Sequence, residues 1–254
     1  MHLRIAALGL LLRAACASRP ASPDIVESDT AILLLGEQHD EPSHHQLERE
    51  MVDALASRGL LAALALEMAD SGASSAGLTP NASADEVRRA LRWDADGWPW
   101  VDYGPAVMAA VAAGVPVVGA NLRRGQLRDA MADATLDGLL SGPAIKAQQQ
   151  AIRAGHCGLL PESQIAPMTR VQIARDRSMA ATLARLVVPG KTVLLIAGGG
   201  HADPDVGVPR HLPAGLASKS VLLPPPLTPK RDYCEDMRRS LAPRGGPPPA
   251  GPSP

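Results

Sequence analysis

The sequence predicts an α/β fold: a mostly parallel sheet with helices on both faces, plus a helical lobe. Three observations carry this. Short continuous apolar runs recur at 31–35, 60–66, 115–118 and 192–197, the pattern of strands buried on both faces. Helical stretches with their own start and stop residues separate them. Each run also leads directly into polar residues. Strands alternating with helices give a parallel sheet, because parallel neighbours must be joined by crossovers.

The elements follow in order. After the first run, Pro42 opens a helix that reaches about Arg58, with Gly59 as its stop. The second run, 60–66, ends in Glu67, and 69–83 reads as a loop of small and polar residues. Ser83 and Glu86 have capping-box spacing for a helix through Leu91. Residues 105–113 read as a helix stopped by Gly114, and 115–118 as the third strand. The stretch 124–186 is mostly helical, with breaks near Ser141-Gly142-Pro143 and Gly155-His156-Cys157-Gly158, and forms the lobe. The fourth strand, 192–197, runs into Gly198-Gly199-Gly200-His201, and 220–223 is a candidate fifth. From residue 224 the chain is proline-rich, and its end, 243–254, is expected to be disordered.

A chain of 254 residues with 46% hydrophobic residues can bury one sizeable α/β core. With no Phe, two Tyr and three Trp, that core must be aliphatic. The formal net charge is −1 and no basic stripe is interleaved with aromatics, which argues against a nucleic-acid partner. Residues 1–17 read as a signal peptide: Arg4, an apolar run at 5–12, then Ala15-Cys16-Ala17. The run is too short for a membrane span, which needs ~20 residues. Cys16 is either removed or lipidated, although Arg13 spoils the lipoprotein pattern. In an exported chain Cys157 and Cys234 can pair, and free thiols are the alternative.

The chemistry gathers at the strand ends. The first strand delivers Glu37 and His39, the second Glu67, the third Asn121 and Arg123, and the fourth His201. In a parallel sheet these ends share one edge, where open α/β sheets bind ligands. Histidines with carboxylates serve either as metal ligands or as general acids and bases. Gly36 eases the exit from the first strand, and the three glycines before His201 allow close backbone approach to a ligand. His44 and His45 lie among charged neighbours and are expected on a solvated helix face. His156 is expected in a loop and His211 at the surface. All three Trp and one Tyr fall within 93–103, a platform for a flat ligand or a small satellite core. Tyr103 is a phenol of the kind that can ligate a haem iron.

Several pieces of this sequence together resemble one family. They are Leu33-Leu34-Leu35-Gly36-Glu37-Gln38-His39-Asp40 with Pro42 and His44-His45, then Leu66-Glu67-Met68, Trp100-Val101-Asp102-Tyr103-Gly104-Pro105 and Val117-Val118-Gly119-Ala120-Asn121. The later ones are Gly155-His156-Cys157-Gly158, Gln172-Ile173-Ala174-Arg175-Asp176, Leu195-Ile196-Ala197-Gly198, Gly200-His201 and Gly207-Val208-Pro209-Arg210. In this order, across 31–212, they are similar to the ChaN-like haem-binding lipoproteins of the haem-uptake/Tiki superfamily. The resemblance implies one α/β domain over 24–223 and an exported, periplasmic protein of bacterial haem and iron acquisition, with a lipid anchor at Cys16 and a homodimer sandwiching its cofactors. It implies haem as ligand, with Tyr103 as iron ligand and His39, His201 and His156 as competitors. Arg123, Arg170 and Arg175 are candidate partners of the propionates. The same superfamily contains hydrolases, so the alternative is a hydrolase, metal-assisted or not, using Glu37, His39, Glu67 and His201.

Overall fold

The computed structural model describes residues 30–225 and 232–241. The expected signal segment, Cys16 and the end of the tail lie outside these residues. Strand β1 (Ile32–Glu37) is buried at every position, as its unbroken apolar run requires. Strand β4 (Thr192–Gly198) is buried throughout in the same way. Strands β2 (Leu61–Asp70), β3 (Val117–Asn121) and β5 (Ser218–Leu222) complete a five-stranded sheet of order β3-β2-β4-β1-β5. Every pairing is parallel. The two most apolar strands, β1 and β4, are central neighbours, and the more polar β5 lies on the edge.

Alternate residues of the strands face opposite layers. Leu33, Leu35, Leu64, Leu66, Leu194 and Ile196 pack on one side with Met51, Val52 and Leu55 of helix α1 (Pro42–Ser57). Tyr103, Val107 and Val111 of helix α3 (Trp100–Ala112) join that layer, as do Val87 and Leu91 of helix α2 (Ala84–Leu91). Ile32, Leu34, Val193 and Leu195 face the other side, towards Met179, Ala180 and Leu183. The last three belong to helix α6 (Ile165–Leu186). The N-terminal half of α6 packs through Val171 and Ile173 on the lobe, which includes helices α4 (Leu127–Ala132) and α5 (Gly142–Gly155). One long helix thus ties the lobe to the sheet. The Ser83–Glu86 capping box forms as its spacing predicts.

Several elements differ from the sequence reading, among them β2, which runs on to Asp70 into the expected loop, and β5, which begins at Ser218. Helix α3 begins at Trp100 and contains Pro105. Pro105 is the sixth residue of this helix, so α3 forgoes the one bond that its N–H would make to the Val101 carbonyl. Within the proline-rich tail, Tyr233–Leu241 forms helix α8. Cys157 and Cys234 are disulfide-bonded, with their Cα atoms 5.4 Å apart, so α8 is fastened to the turn after α5. Directly after β4 the chain makes one helical turn, α7 (Gly199–Ala202), which carries His201.

Candidate functional site

Because all five strands run the same way, the C-terminal ends of β1, β2 and β4 open on one edge. Glu37 closes β1, and its Oε1 accepts from His39 Nδ1 at 2.8 Å and from the Tyr103 hydroxyl at 3.0 Å. Glu67 lies where β2 leaves regular pairing with β3, between Leu66 and Asp70. Its Oε2 accepts the Gly198 N–H at 2.8 Å and lies 3.8 Å from His39 Nε2. Its Oε1 lies 3.3 Å from His201 Nε2. His201 Nδ1 donates to Asp176 Oδ1 at 2.6 Å. Glu37, His39, Glu67 and His201 therefore converge, as the strand-end reading expects, and Asp176 of α6 joins them.

The electrostatics are those of charges held out of water. Burial opposes a charged imidazole at His201, but the carboxylates of Glu67 and Asp176 outweigh it and push its pKa up to about 10. Burial would raise Glu67, yet His201, His39 and the Gly198 amide hold it at about 2. Asp176 goes the other way: burial pushes it up to about 6, against the pull of His201. Burial also opposes charge on His39, but Glu37 and Glu67 raise its pKa above the usual histidine range. Glu37 resists the upward push of burial through the hydrogen bond from His39 and the nearness of His45 and Glu48, and sits well below the carboxylate range. Burial, then Glu37, push Glu48 up to about 10, so it carries a proton at neutral pH.

A cavity of ≈ 970 Å³ opens over this cluster. His39, His201 and His156 line it, with Trp98 and Pro99 from the aromatic segment and Ala147, Ala151 and Ile152 from α5. The edge of Trp98 meets the His39 ring at a centroid distance of 4.8 Å. Tyr233, from the disulfide-fastened helix, also lines the cavity, and its hydroxyl donates to Asp40.

Some expected residues fall elsewhere. Tyr103 does not line the cavity. It is 1% exposed beneath it, and burial together with Glu37 raises its pKa far above the phenol range. Trp93, Trp98 and Trp100 pack around one another and Tyr103, so the aromatic segment is both core and cavity wall. Arg123 lines a different groove of ≈ 1000 Å³, together with Arg177, Arg185 and Arg210. Arg170 is paired with Asp137, and half-buried Arg175 lines neither space. Among the described residues no Arg or Lys lines the strand-end cavity.

The expectation for His44 and His45 is corrected: both are buried, along with Glu48. Helix α1 packs on the sheet beside α3, which covers His45, and the chain after β5 covers His44. His44 is held by the Gln38 N–H and the Pro224 carbonyl. His211 is half-buried, rather than lying on the surface. Sequence reasoning missed Asp176 and Glu48, although a signal was available. Each occupies an apolar-stripe position of its helix: Ile165, Thr169, Ile173, Asp176, Ala180 and Leu183 in α6, and His45, Glu48, Val52 and Leu55 in α1. A carboxylate at i+3 or i+4 in such a stripe is a buried carboxylate.

Residues 27–212 match the family described as haem-binding uptake, Tiki superfamily, ChaN. This chain belongs to the ChaN family. A solved ChaN structure, described as cofacial haem binding to ChaN of Campylobacter jejuni, is similar in fold, with a TM-score of 0.61 and 26% sequence identity. The likeness covers 76% of this chain and 80% of that one. No curated protein matches. The ChaN-matching span holds Glu37, His39, His45, Glu48, Glu67, Asp176 and His201, whereas Tyr233 and Cys234 lie beyond it.

Proposed function

We propose that this protein binds haem in the strand-end cavity, as an exported component of bacterial haem and iron acquisition. The observation that carries the reading is the posture of His39. Its Nδ1 is fixed by Glu37, and its side chain is 39% exposed at the cavity wall. An imidazole with one nitrogen held by a carboxylate presents the other as a metal ligand. Trp98, Pro99, Ile152 and the alanines of α5 suit a flat apolar ring. With no Arg or Lys on the wall among the described residues, the propionates belong at the open mouth. His201 is taken up by two carboxylates and Tyr103 by Glu37, so His39 is the favoured iron ligand. His156 and Tyr233 stand on the same wall. Family membership supports haem as the ligand, and the disulfide supports an oxidising compartment.

Titration of haemin into the purified protein, followed at the Soret band, tests this. We expect saturable binding that is lost in His39→Ala and kept in Tyr103→Phe. Binding strengthens as pH rises through the His39 transition, since its proton competes with iron. Absence of saturable binding refutes the reading. Loss in Tyr233→Phe with retention in His39→Ala moves the ligand to α8. Light scattering of the haem-loaded protein tests the expected homodimer. Mass spectrometry of the mature N-terminus tests export processing and a lipid anchor at Cys16.

The convergence of Glu37, His39, Glu67 and His201 favours a second reading, a hydrolase. Glu67 is held as an anion between a histidine and a backbone amide, the setting of a water-activating base. Haem-free turnover of ester or peptide substrates, abolished in Glu67→Gln, is its expected signature.

A further inference from the structure

Glu37 has a second face. While its Oε1 serves the cavity side, its Oε2 points to α1 and lies 3.3 Å from His45 Nε2. Glu48, one helical turn beyond His45, completes a triangle in which one ligand atom from each residue lies within 4.8 Å of the others. All three residues are more than nine-tenths buried, at 3%, 7% and 0% exposure. Yet Glu37 Oε2, His45 Nε2 and both Glu48 oxygens make no hydrogen bond among the described residues. Buried polar atoms are rarely left this way, because each has given up its water without gaining a partner.

A proton between Glu48 and Glu37 satisfies one oxygen of each. It leaves the imidazole nitrogen and the other Glu48 oxygen without a well-formed hydrogen bond. A cation at the centre of the triangle satisfies all three residues at once. One imidazole and two carboxylates form a mixed nitrogen and oxygen donor set, suited to zinc, manganese or ferrous ions. The triangle tightens to the ~3–4 Å between ligands of one such ion by small side-chain rotations. Asp102 Oδ1 lies 3.8 Å from the far nitrogen of His45, too far for a hydrogen bond as it stands but on the side where a carboxylate orients a ligating histidine. We propose that Glu37, His45 and Glu48 form a buried site for one divalent first-row metal ion, beneath the strand-end cavity and separate from any haem. The proposal does not rest on the haem reading.

The full chain, stripped with chelator and dialysed, is titrated with zinc alone and with manganese alone. Calorimetry and elemental analysis are the readouts, so haem plays no part in them. We expect about one ion per chain, with affinity at least tenfold weaker in Glu48→Gln and in His45→Ala. It is retained in His201→Asn, which alters the strand-end group only. Glu48→Gln keeps the shape of the protonated carboxyl, and circular dichroism verifies its fold. No ion bound by the wild-type chain overturns the proposal. So does unchanged binding in Glu48→Gln, and so does binding lost in His201→Asn but not in Glu48→Gln.

Discussion

Two buried positions, Glu67 and His201, set how this site responds to pH. His201 has a pKa of about 10 in the fold against 6.5 ordinarily, so the folded state holds its proton more tightly. Its contribution to stability is full below about 6.5 and is lost as pH rises through about 10. Glu67, held at about 2 against 4.5, contributes fully above about 4.5 and loses that as pH falls through about 2. Asp176, raised to about 6, costs stability as it ionises and so trims the upper side of this window. The melting temperature is therefore expected to decline from pH 7 to pH 10, and this alkaline decline should flatten in His201→Asn. Parallel wild-type and variant profiles across that range would show that His201 is not the titrating group.

At the scale of elements, the turn after β4 is as much a packing device as a loop. A Cβ on Gly198 would lie 2.8 Å from His39 Nε2 and 3.6 Å from Glu67 Oε2. The φ at Gly198 is −57°, which any residue tolerates, so the demand is for space and not for backbone freedom. Gly198→Ala is expected to leave the fold intact and to swing the half-exposed His39 ring away. Haemin affinity should then drop at least ~10-fold, the scale of losing a ligand's supporting contacts. Helix α8 poses a different test. It is fastened at Cys234 and touches the cavity through Tyr233. Cys234→Ser should raise amide hydrogen exchange in 233–241 and leave β1 and β4 protected. Unchanged exchange in 233–241 would mean that other contacts hold α8.

The whole molecule hangs on β4, which pairs with β1 on one side and β2 on the other. Leu194 points into the layer under α1 and α3, and Leu195 into the layer under α6. Both are fully buried. Replacement of either by Ala should cost about 2–5 kcal/mol, the transfer loss plus the cavity left behind. For a chain of this size each kcal/mol lowers the melting temperature by roughly 2–4 °C. If one variant melts with the wild type, the corresponding layer is not part of the cooperative core.

The local signals were strong enough to reveal the strands, the α1 and α2 starts, the parallel class and the convergence of Glu37, His39, Glu67 and His201. Apolar runs, caps and glycines act over a few residues, and parallel topology then forces the strand ends together. The sequence by itself also carried the family resemblance. Tertiary structure alone decided what covers each helix face and which polar partners meet there. His44, His45 and Glu48 look solvated because their neighbours in sequence are charged, but helix periodicity turns them inward, where α3 covers His45 and Glu48 and the chain after β5 covers His44. Tyr103 was singled out for its rarity, and only packing shows that its hydroxyl is committed to Glu37 beneath the cavity. Asp176 reaches His201, and Cys157 reaches Cys234, across distances in sequence where no local rule applies. Partner choice among buried charges depends on three-dimensional proximity and lost solvent, which a linear pattern does not encode.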